Sequence, residues 1–177
     1  NSSKFYNPSS HTNALATGAA GDECFIVIKS SPSIVTTQLP ASGAIGDTYQ
    51  DKATLSAGVN YDSTGSITFK LYSAADCGGS VLDTESVGSI AANGDYTTPN
   101  GFALQNAGTY YWVASFSGDG YNNTKTTGCN DEPVVVAKAS PSILTTQLPP
   151  SGAIGDLYKD KATLSGGVNL KGTGSIT

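Results

Sequence analysis

The chain contains no arginine and no methionine, and only 13% of its 177 residues are charged. All nine basic residues are lysines, and fourteen acidic residues bring the formal net charge to −5. Nucleic-acid recognition relies on clustered Lys and Arg side chains, and on arginine forks in particular. The sequence therefore predicts that nucleic acid is not a partner.

Long hydrophobic runs are also missing. No stretch approaches the roughly 20 apolar residues that cross a bilayer, so the sequence predicts no membrane span. Cysteine is scarce, with three in all, whereas Gly, Ser, Thr and Asn are abundant. A polar, weakly charged surface of this kind is typical of secreted all-β modules, and cysteines in that setting favour an oxidising compartment. We therefore expect a secreted or cell-surface protein.

What the chain does contain is a long repeat. Residues 30–68 and 139–177 differ at nine of 39 aligned positions, so 30 positions are identical. Pro32 aligns with Pro141, which makes the period 109 residues. A fixed period indicates a repeat architecture. We predict the loop and last strand of a preceding repeat (1–30), a complete repeat (31–139) and the first part of a following repeat (140–177), within a longer repetitive polypeptide.

Short strands with period-two alternation fill the complete repeat. Ile67, Phe69 and Leu71 alternate with polar residues, as half-buried strands require. Asn93-Gly94 is a strong signal for a hairpin turn. About seven short strands in ~100 residues, with no sustained helical period, predict an all-β antiparallel sandwich. The predicted strands are 25–28, 33–39, 52–59, 65–72, 81–87, 95–98, 102–104, 109–117 and 133–137.

Three segments of the complete repeat resemble a known family. Residues 64–72 (TGSITFKLY), 107–114 (AGTYYWVA) and 117–122 (SGDGYN) are similar, in this order and spacing, to tandem immunoglobulin-like repeats of large prokaryotic cell-surface proteins. The resemblance implies an immunoglobulin-like sandwich that serves as a spacer or adhesive module and not as an enzyme. Residues 1–24 depart from the family pattern by a longer loop before the last strand.

Tyr110 and Trp112 lie where immunoglobulin-like domains open strand F. The resemblance implies that Tyr110 donates a hydrogen bond back to the backbone, as in a tyrosine corner, and that Trp112 fills the core. An alternative role for Trp112 is a stacking platform for a sugar ring. Its neighbours in the alternation are apolar, which favours the core.

Cys77 and Cys129 are the two cysteines of the complete repeat. In repeats of the family that the chain resembles, they look like a bridging pair, and Cys24 would then pair within the preceding repeat. Two free thiols and a metal-binding pair are the alternatives. The metal reading is weaker, because two cysteines without a nearby histidine make a poor zinc site.

Catalytic residues are not predicted. The one histidine, His11, lies outside the complete repeat, so no Ser-His-Asp or Cys-His arrangement is available there. Three pairs of acids suit turn formation and solubility, and no cofactor is predicted. The alternative for these pairs is calcium, which binds oxygen ligands on loops, although none has the regular spacing of a calcium loop. The pairs are Asp47/Asp51, Asp131/Glu132 and Asp156/Asp160.

Two glycosylation sequons occur in the loops that precede a last strand. They begin at Asn1 and Asn122, and in a secreted chain both are candidates for glycans.

The leading functional hypothesis is a stiff structural spacer of an extracellular fibre, stalk or surface layer. Its partners would be adjacent repeats and other copies in a fibre. The linkers are short and contain proline, which favours a stiff string over a flexible hinge. The alternatives are an adhesin module that binds carbohydrate or protein through its loops, and an accessory domain of a secreted carbohydrate-active enzyme.

Overall fold

The structure is a computed structural model that describes residues 26–177. Predictions for Asn1, His11, Cys24 and Phe25 lie outside the described residues. Within them no helix is long and apolar enough to cross a membrane. The chain there is all-β, with strands β1 (Ser33–Leu39), β2 (Gly43–Ala44), β3 (Thr48–Ser56), β4 (Ile67–Tyr72), β5 (Val81–Val87), β6 (Gly94–Thr97), β7 (Phe102–Ala103), β8 (Gly108–Phe116), β9 (Lys125–Thr126), β10 (Pro133–Ala137), β11 (Ser142–Leu148) and β12 (Lys159–Ser165).

The first ten strands form two sheets. One sheet has the order β1-β3-β6, with β7 also paired to β3. The other has the order β2-β10-β8-β4-β5, with β9 paired to β8. All pairs are antiparallel except β2 with β10. Apolar side chains from both sheets meet in one core, so the arrangement is sandwich-like.

Strand β8 supplies the centre of that core. Its residues Tyr110, Trp112, Ala114 and Phe116 are buried, because side chains two positions apart point to the same face of a strand. On the neighbouring β4, Ile67, Phe69 and Leu71 are buried by the same alternation. The sequence prediction for these two faces is confirmed.

Strand β3 differs from its prediction. It runs over Thr48–Ser56, which is earlier than the expected 52–59, and it buries Tyr49 and Asp51. Ala57, which falls within the predicted strand, is instead exposed beyond the strand end with a φ of 59°. The sequence suggested a turn at Asp51, but continuous pairing with β1, from Ser33↔Ser56 to Leu39↔Gln50, keeps this segment extended.

The hairpin expected at Asn93-Gly94 is absent. Strands β5 and β6, which flank it, belong to different sheets, so the chain crosses the sandwich at this point. The Asn93 side chain instead fastens the turn after β3. Its Oδ1 accepts hydrogen bonds from the Gly58 N–H (3.0 Å) and the Tyr61 hydroxyl (2.8 Å). The two-residue strands β2 and β9 have no signal in the sequence pattern.

Strands β11 and β12 pair as β1 and β3 do. Ser142 faces Ser165 and Leu148 faces Lys159, the same register shifted by one period. Their apolar side chains are exposed, however: Ile143 is 53% and Leu164 is 42% accessible, against 5% for Ile34 and 1% for Leu55. The predicted strand at 25–28 is not formed over residues 26–28, where no described strand pairs with the backbone.

Candidate functional site

The Cys77–Cys129 disulfide is formed in the structure, with a Cα–Cα separation of 5.8 Å. It joins the loop between β4 and β5 to the loop that leads into β10. The neighbouring row of paired residues runs from Tyr72 on β4 through Tyr111 on β8 to Pro133 on β10. The bridge therefore fastens three strands of one sheet at a single level.

Tyr110 and Trp112 both serve the core. The Tyr110 hydroxyl donates a hydrogen bond to the Asn106 carbonyl at 2.8 Å, four residues upstream. The Trp112 side chain is 1% exposed, so no face of the indole is available to stack on a sugar. The sugar-binding alternative for Trp112 is therefore wrong.

Asn122 is buried rather than presented to solvent. Its side chain is 1% exposed and exchanges two hydrogen bonds with the Val59 backbone, each 2.8 Å long. Its amide nitrogen also donates to the Asp119 carboxylate at 2.9 and 3.0 Å. A glycan needs this same nitrogen in solvent, so the structure contradicts glycosylation of Asn122 in the folded domain.

The acid pairs found in the sequence are divided by the fold. In each pair one aspartate closes a local turn by accepting a backbone N–H, as expected for turn formers. These bonds are Ala44 N–H to Asp47 (2.8 Å), Gly128 N–H to Asp131 (2.6 Å) and Ala153 N–H to Asp156 (2.6 Å). Of the other three members, Asp160 is exposed, whereas Asp51 and Glu132 take part in a buried cluster.

Asp51 and Glu132 meet Gln38 between the sheets. Asp51 lies on the inner face of β3 with 0% exposure, directly opposite Gln38 on β1. Glu132 immediately precedes β10 of the other sheet, and its Oε1 accepts the Gln38 N–H at 2.6 Å. We call these three residues the carboxyl cluster. It connects the first strand of the sandwich to the last.

The cluster holds four buried oxygens without a hydrogen-bond partner among the described residues. They are Asp51 Oδ1, Asp51 Oδ2, Gln38 Oε1 and Glu132 Oε2. Only two other buried side-chain polar atoms lack a partner in the described part of the chain, Asp83 Oδ2 and Trp112 Nε1. Buried polar atoms are normally paired, so four in one place call for an explanation.

The remaining polar atoms of the cluster are committed elsewhere. Gln38 Nε2 donates to the Ala41 carbonyl at 2.7 Å, while its Oε1 is buried. Thr98 fixes the Asp51 backbone, since its Oγ1 accepts the Asp51 N–H at 3.2 Å and its N–H donates to the Asp51 carbonyl at 2.9 Å. The disulfide at Cys129 and the Asp131 turn hold the loop that carries Glu132.

Burial sets the electrostatics of the cluster. It raises the pKa of the Asp51 carboxyl to about 7, and the negative charge of Glu132 raises it further. The nearby main-chain N–H groups of Lys52 and Thr37 offset part of this increase. Ionisation of Asp51 is therefore costly in the folded domain unless a positive group lies beside the carboxylate.

All three cluster residues recur at the repeat period. Gln38 corresponds to Gln147, Asp51 to Asp160, and Glu132 to Glu23, which lies outside the described residues. None of the nine differences between the two copies falls on Gln38 or Asp51. The identity of Gln38 and Asp51 in the two copies is therefore a sequence signal for the cluster. Closeness along the chain does not indicate it, because Asp51 and Glu132 belong to different acid pairs.

No protein-family model matches the chain, and no curated protein is detectably similar to it. The function is therefore inferred from the fold and the contacts alone.

Loss of the disulfide is expected to lower the free energy of unfolding by about 2–4 kcal/mol, because the bridge closes a long loop of the unfolded chain. The measurement is denaturant unfolding of Cys77→Ser/Cys129→Ser against the unchanged pair, both in a Cys24→Ser background. Reductant should destabilise only the chain that keeps the pair. An unfolding midpoint insensitive to reductant in that chain would contradict the prediction.

Proposed function

We propose that residues 31–139 form an immunoglobulin-like module, and that such modules act in tandem as a stiff spacer in an extracellular fibre, stalk or surface layer. The division of strands supports the fold. Strands β1, β3 and β6 occupy the places of strands A, B and E, while β4, β8 and β10 occupy those of C, F and G. The short parallel pairing of β2 with β10 fits a first strand that crosses between sheets.

The observation that carries the spacer proposal is the position of the two junctions. The chain enters beside Asn122, just beyond the end of β8, where Ser30 forms a β-bridge. It leaves along β10, where Val136 pairs with Gly108 at the start of β8. Entry and exit thus lie at opposite ends of the central strand β8. Modules joined in this way extend a string by the full length of the sandwich.

The entry junction is held by hydrogen bonds. Ser30 N–H donates to the Tyr121 carbonyl at 2.9 Å, and Asn123 N–H donates to the Ser30 carbonyl at 2.8 Å. The Lys29 ammonium donates to the Asp119 carbonyl at 2.6 Å, and the Ser30 hydroxyl donates to the Ala57 carbonyl at 2.9 Å. Fixed linker residues support stiffness, since a hinge needs a backbone that is free to rotate.

The exit junction is held from the other side. Asn169, in the turn after β12, donates from Nδ2 to the Gln105 side-chain oxygen at 2.8 Å and to the Gln105 carbonyl at 3.2 Å. Asn169 has a φ of 50°, and its counterpart Asn60 has a φ of 47°. The same turn is therefore available to contact a preceding module in each copy.

Small-angle X-ray scattering of the chain tests this proposal. A stiff spacer should scatter as one extended particle whose maximum dimension is unchanged by ionic strength. A broad ensemble of dimensions would contradict it and would indicate a hinge. Specific binding on a glycan array would favour the adhesin alternative. The disulfide is compatible with either function, since both are extracellular.

Asn169→Asp is expected to loosen the exit junction. The substitution keeps a residue that tolerates positive φ, but it removes the donor and sets a carboxylate against two oxygens of Gln105. At about 1 kcal/mol per hydrogen bond, cleavage by a lysine-specific protease after Lys138 should accelerate by about fivefold or more. Asn60→Asp, in the same turn of the complete repeat, is the control and should leave this cleavage rate unchanged.

A further inference from the structure

We propose that Asp51, Glu132 and Gln38 form a buried binding site for a divalent metal ion, and that its donor set selects calcium. The site goes beyond the spacer function and does not depend on it. It would be present once in the complete repeat, between the two sheets. The acid pairs apparent in the sequence are not this site, because it takes one member from each of two such pairs.

The first reason is the kind of atom that the cluster leaves unpaired. All four unpartnered oxygens are acceptors, and two donors near them are used by carbonyl groups, Gln38 Nε2 by Ala41 and the Thr98 N–H by Asp51. Asp51 is completely buried with both oxygens free, so the cluster is more than a surface group of acids. Burying such groups without compensation is costly, and a positive ion bound between Asp51 and Glu132 would supply the missing partner.

The second reason is the match to calcium chemistry. Calcium takes six to eight oxygen ligands from carboxylates, amide carbonyls and water, with tolerant geometry. Asp51 supplies two oxygens, Glu132 one and Gln38 one, and two ionised carboxylates balance a 2+ ion. No thiolate or imidazole belongs to the cluster, so its chemistry does not favour zinc or copper.

The third reason is that the ligands are fixed before any ion arrives. Gln38 is oriented by Ala41, the Asp51 backbone by Thr98, and the Glu132 loop by the disulfide at Cys129. A prearranged site loses little conformational freedom on binding.

The site also lies where an ion would matter mechanically. Gln38 is on β1, which follows the entry junction, and Glu132 immediately precedes β10, which leads to the exit junction. An ion coordinated by both ties the first strand of the module to the last across the two sheets. In a string of modules, it would strengthen each module against extension.

The test is thermal unfolding of the full 177-residue chain, first stripped with EDTA, at pH 7.5. Calcium chloride at 10 mM should raise Tm by about 5 °C or more over sodium chloride at matched ionic strength, as expected for an extracellular-type affinity. Titration calorimetry should give one calcium ion per chain, and magnesium should shift Tm less because it demands stricter geometry.

Asp51→Asn and Glu132→Gln should each abolish the calcium shift, since each removes a charged ligand while keeping the side-chain shape. Asp160→Asn is the matched control. It occupies the same repeat position, but its carboxylate is exposed, and the variant should keep the full shift. Circular dichroism establishes that each variant is folded. Native mass spectrometry of the wild-type chain gives a second readout that does not depend on the variants.

Two results would overturn the proposal. The absence of a calcium-specific shift in the wild-type chain would mean that the carboxyls share a proton instead. A shift that survives Asp51→Asn, or that disappears in Asp160→Asn, would place calcium on surface carboxylates.

Discussion

Truncation of Trp112 to alanine is expected to lower the free energy of unfolding of the complete repeat by about 3–5 kcal/mol, the range for large aromatic deletions in cores. The indole is 1% exposed at the centre of β8. It pairs with Leu71 on β4 and has no disulfide beside it to share the central position. Its removal leaves a cavity that two hydrogen-bonded sheets cannot close. Urea unfolding followed by circular dichroism measures the loss.

Two further variants test the reason given for this loss. Trp112→Phe should cost clearly less than Trp112→Ala, because it keeps most of the volume and the indole N–H has no hydrogen-bond partner to lose. Tyr121→Ala removes an aromatic ring that is 52% exposed, and it should stay within about 0.5 kcal/mol of the wild type. A loss below about 1 kcal/mol for Trp112→Ala would show that the core does not depend on the indole.

The second large effect concerns pH. In EDTA, Asp51 is expected to make the folded domain less stable as pH rises, by up to about 4 kcal/mol between pH 4 and pH 7. Burial, and then the charge of Glu132, raises the pKa of Asp51 from 3.8 to about 7 in the folded state. Between these values the unfolded chain releases the proton and the folded chain keeps it. Stability therefore falls through this window and is level above it.

Comparison with Asp51→Asn isolates this contribution. The amide stays neutral, so the variant should match the wild type near pH 4 and exceed its stability at pH 8. Other carboxyls change the stability in the opposite direction with pH, because hydrogen bonds from Thr64 and Thr54 lower the pKa values of Asp62 and Asp95. The difference in stability between the wild type and Asp51→Asn removes these common contributions. A difference that does not change with pH would contradict the prediction. Asp160→Asn, at the same repeat position but on the surface, is the control for the substitution itself.

Both large effects concern connections between the two sheets of the same sandwich. Trp112 packs in the core between the two sheets, whereas the carboxyl cluster joins β1, β3 and the segment immediately before β10. The disulfide restrains the loop from which Glu132 extends. A sandwich of this size gains from several such connections, because its small core alone supplies only modest stability.

Much of the fold could be predicted from local pattern. The alternation in β4 and β8 identified the inner faces correctly, because a period of two is a property of the strand itself. The family resemblance implied the Cys77–Cys129 disulfide, and this disulfide is present in the structure. The predicted bounds of β1, β5 and β10 agree with the structure, since each begins or ends beside proline, glycine or a polar turn.

Partnership between distant residues could not be predicted in this way. Asn93-Gly94 has the composition of a hairpin, yet β5 and β6 pair with different sheets, and only the tertiary structure decides which strands are neighbours. Asn122 belongs to a valid sequon, but its amide is consumed by Val59 and Asp119. The sequence motif identifies a possible glycosylation site, whereas the burial of the Asn122 amide decides whether it is accessible.

The sequence by itself determined the repeat, the all-β class, the central strands and the absence of a catalytic histidine from the complete repeat. The tertiary structure alone decided the role of the acids. Asp47 and Asp131 close turns, while Asp51 and Glu132, which are 81 positions apart, meet Gln38 inside the sandwich. Turn formation depends on neighbours along the chain, which the sequence contains. A buried cluster depends on which strands the sheets bring together, and that follows from packing of the whole domain.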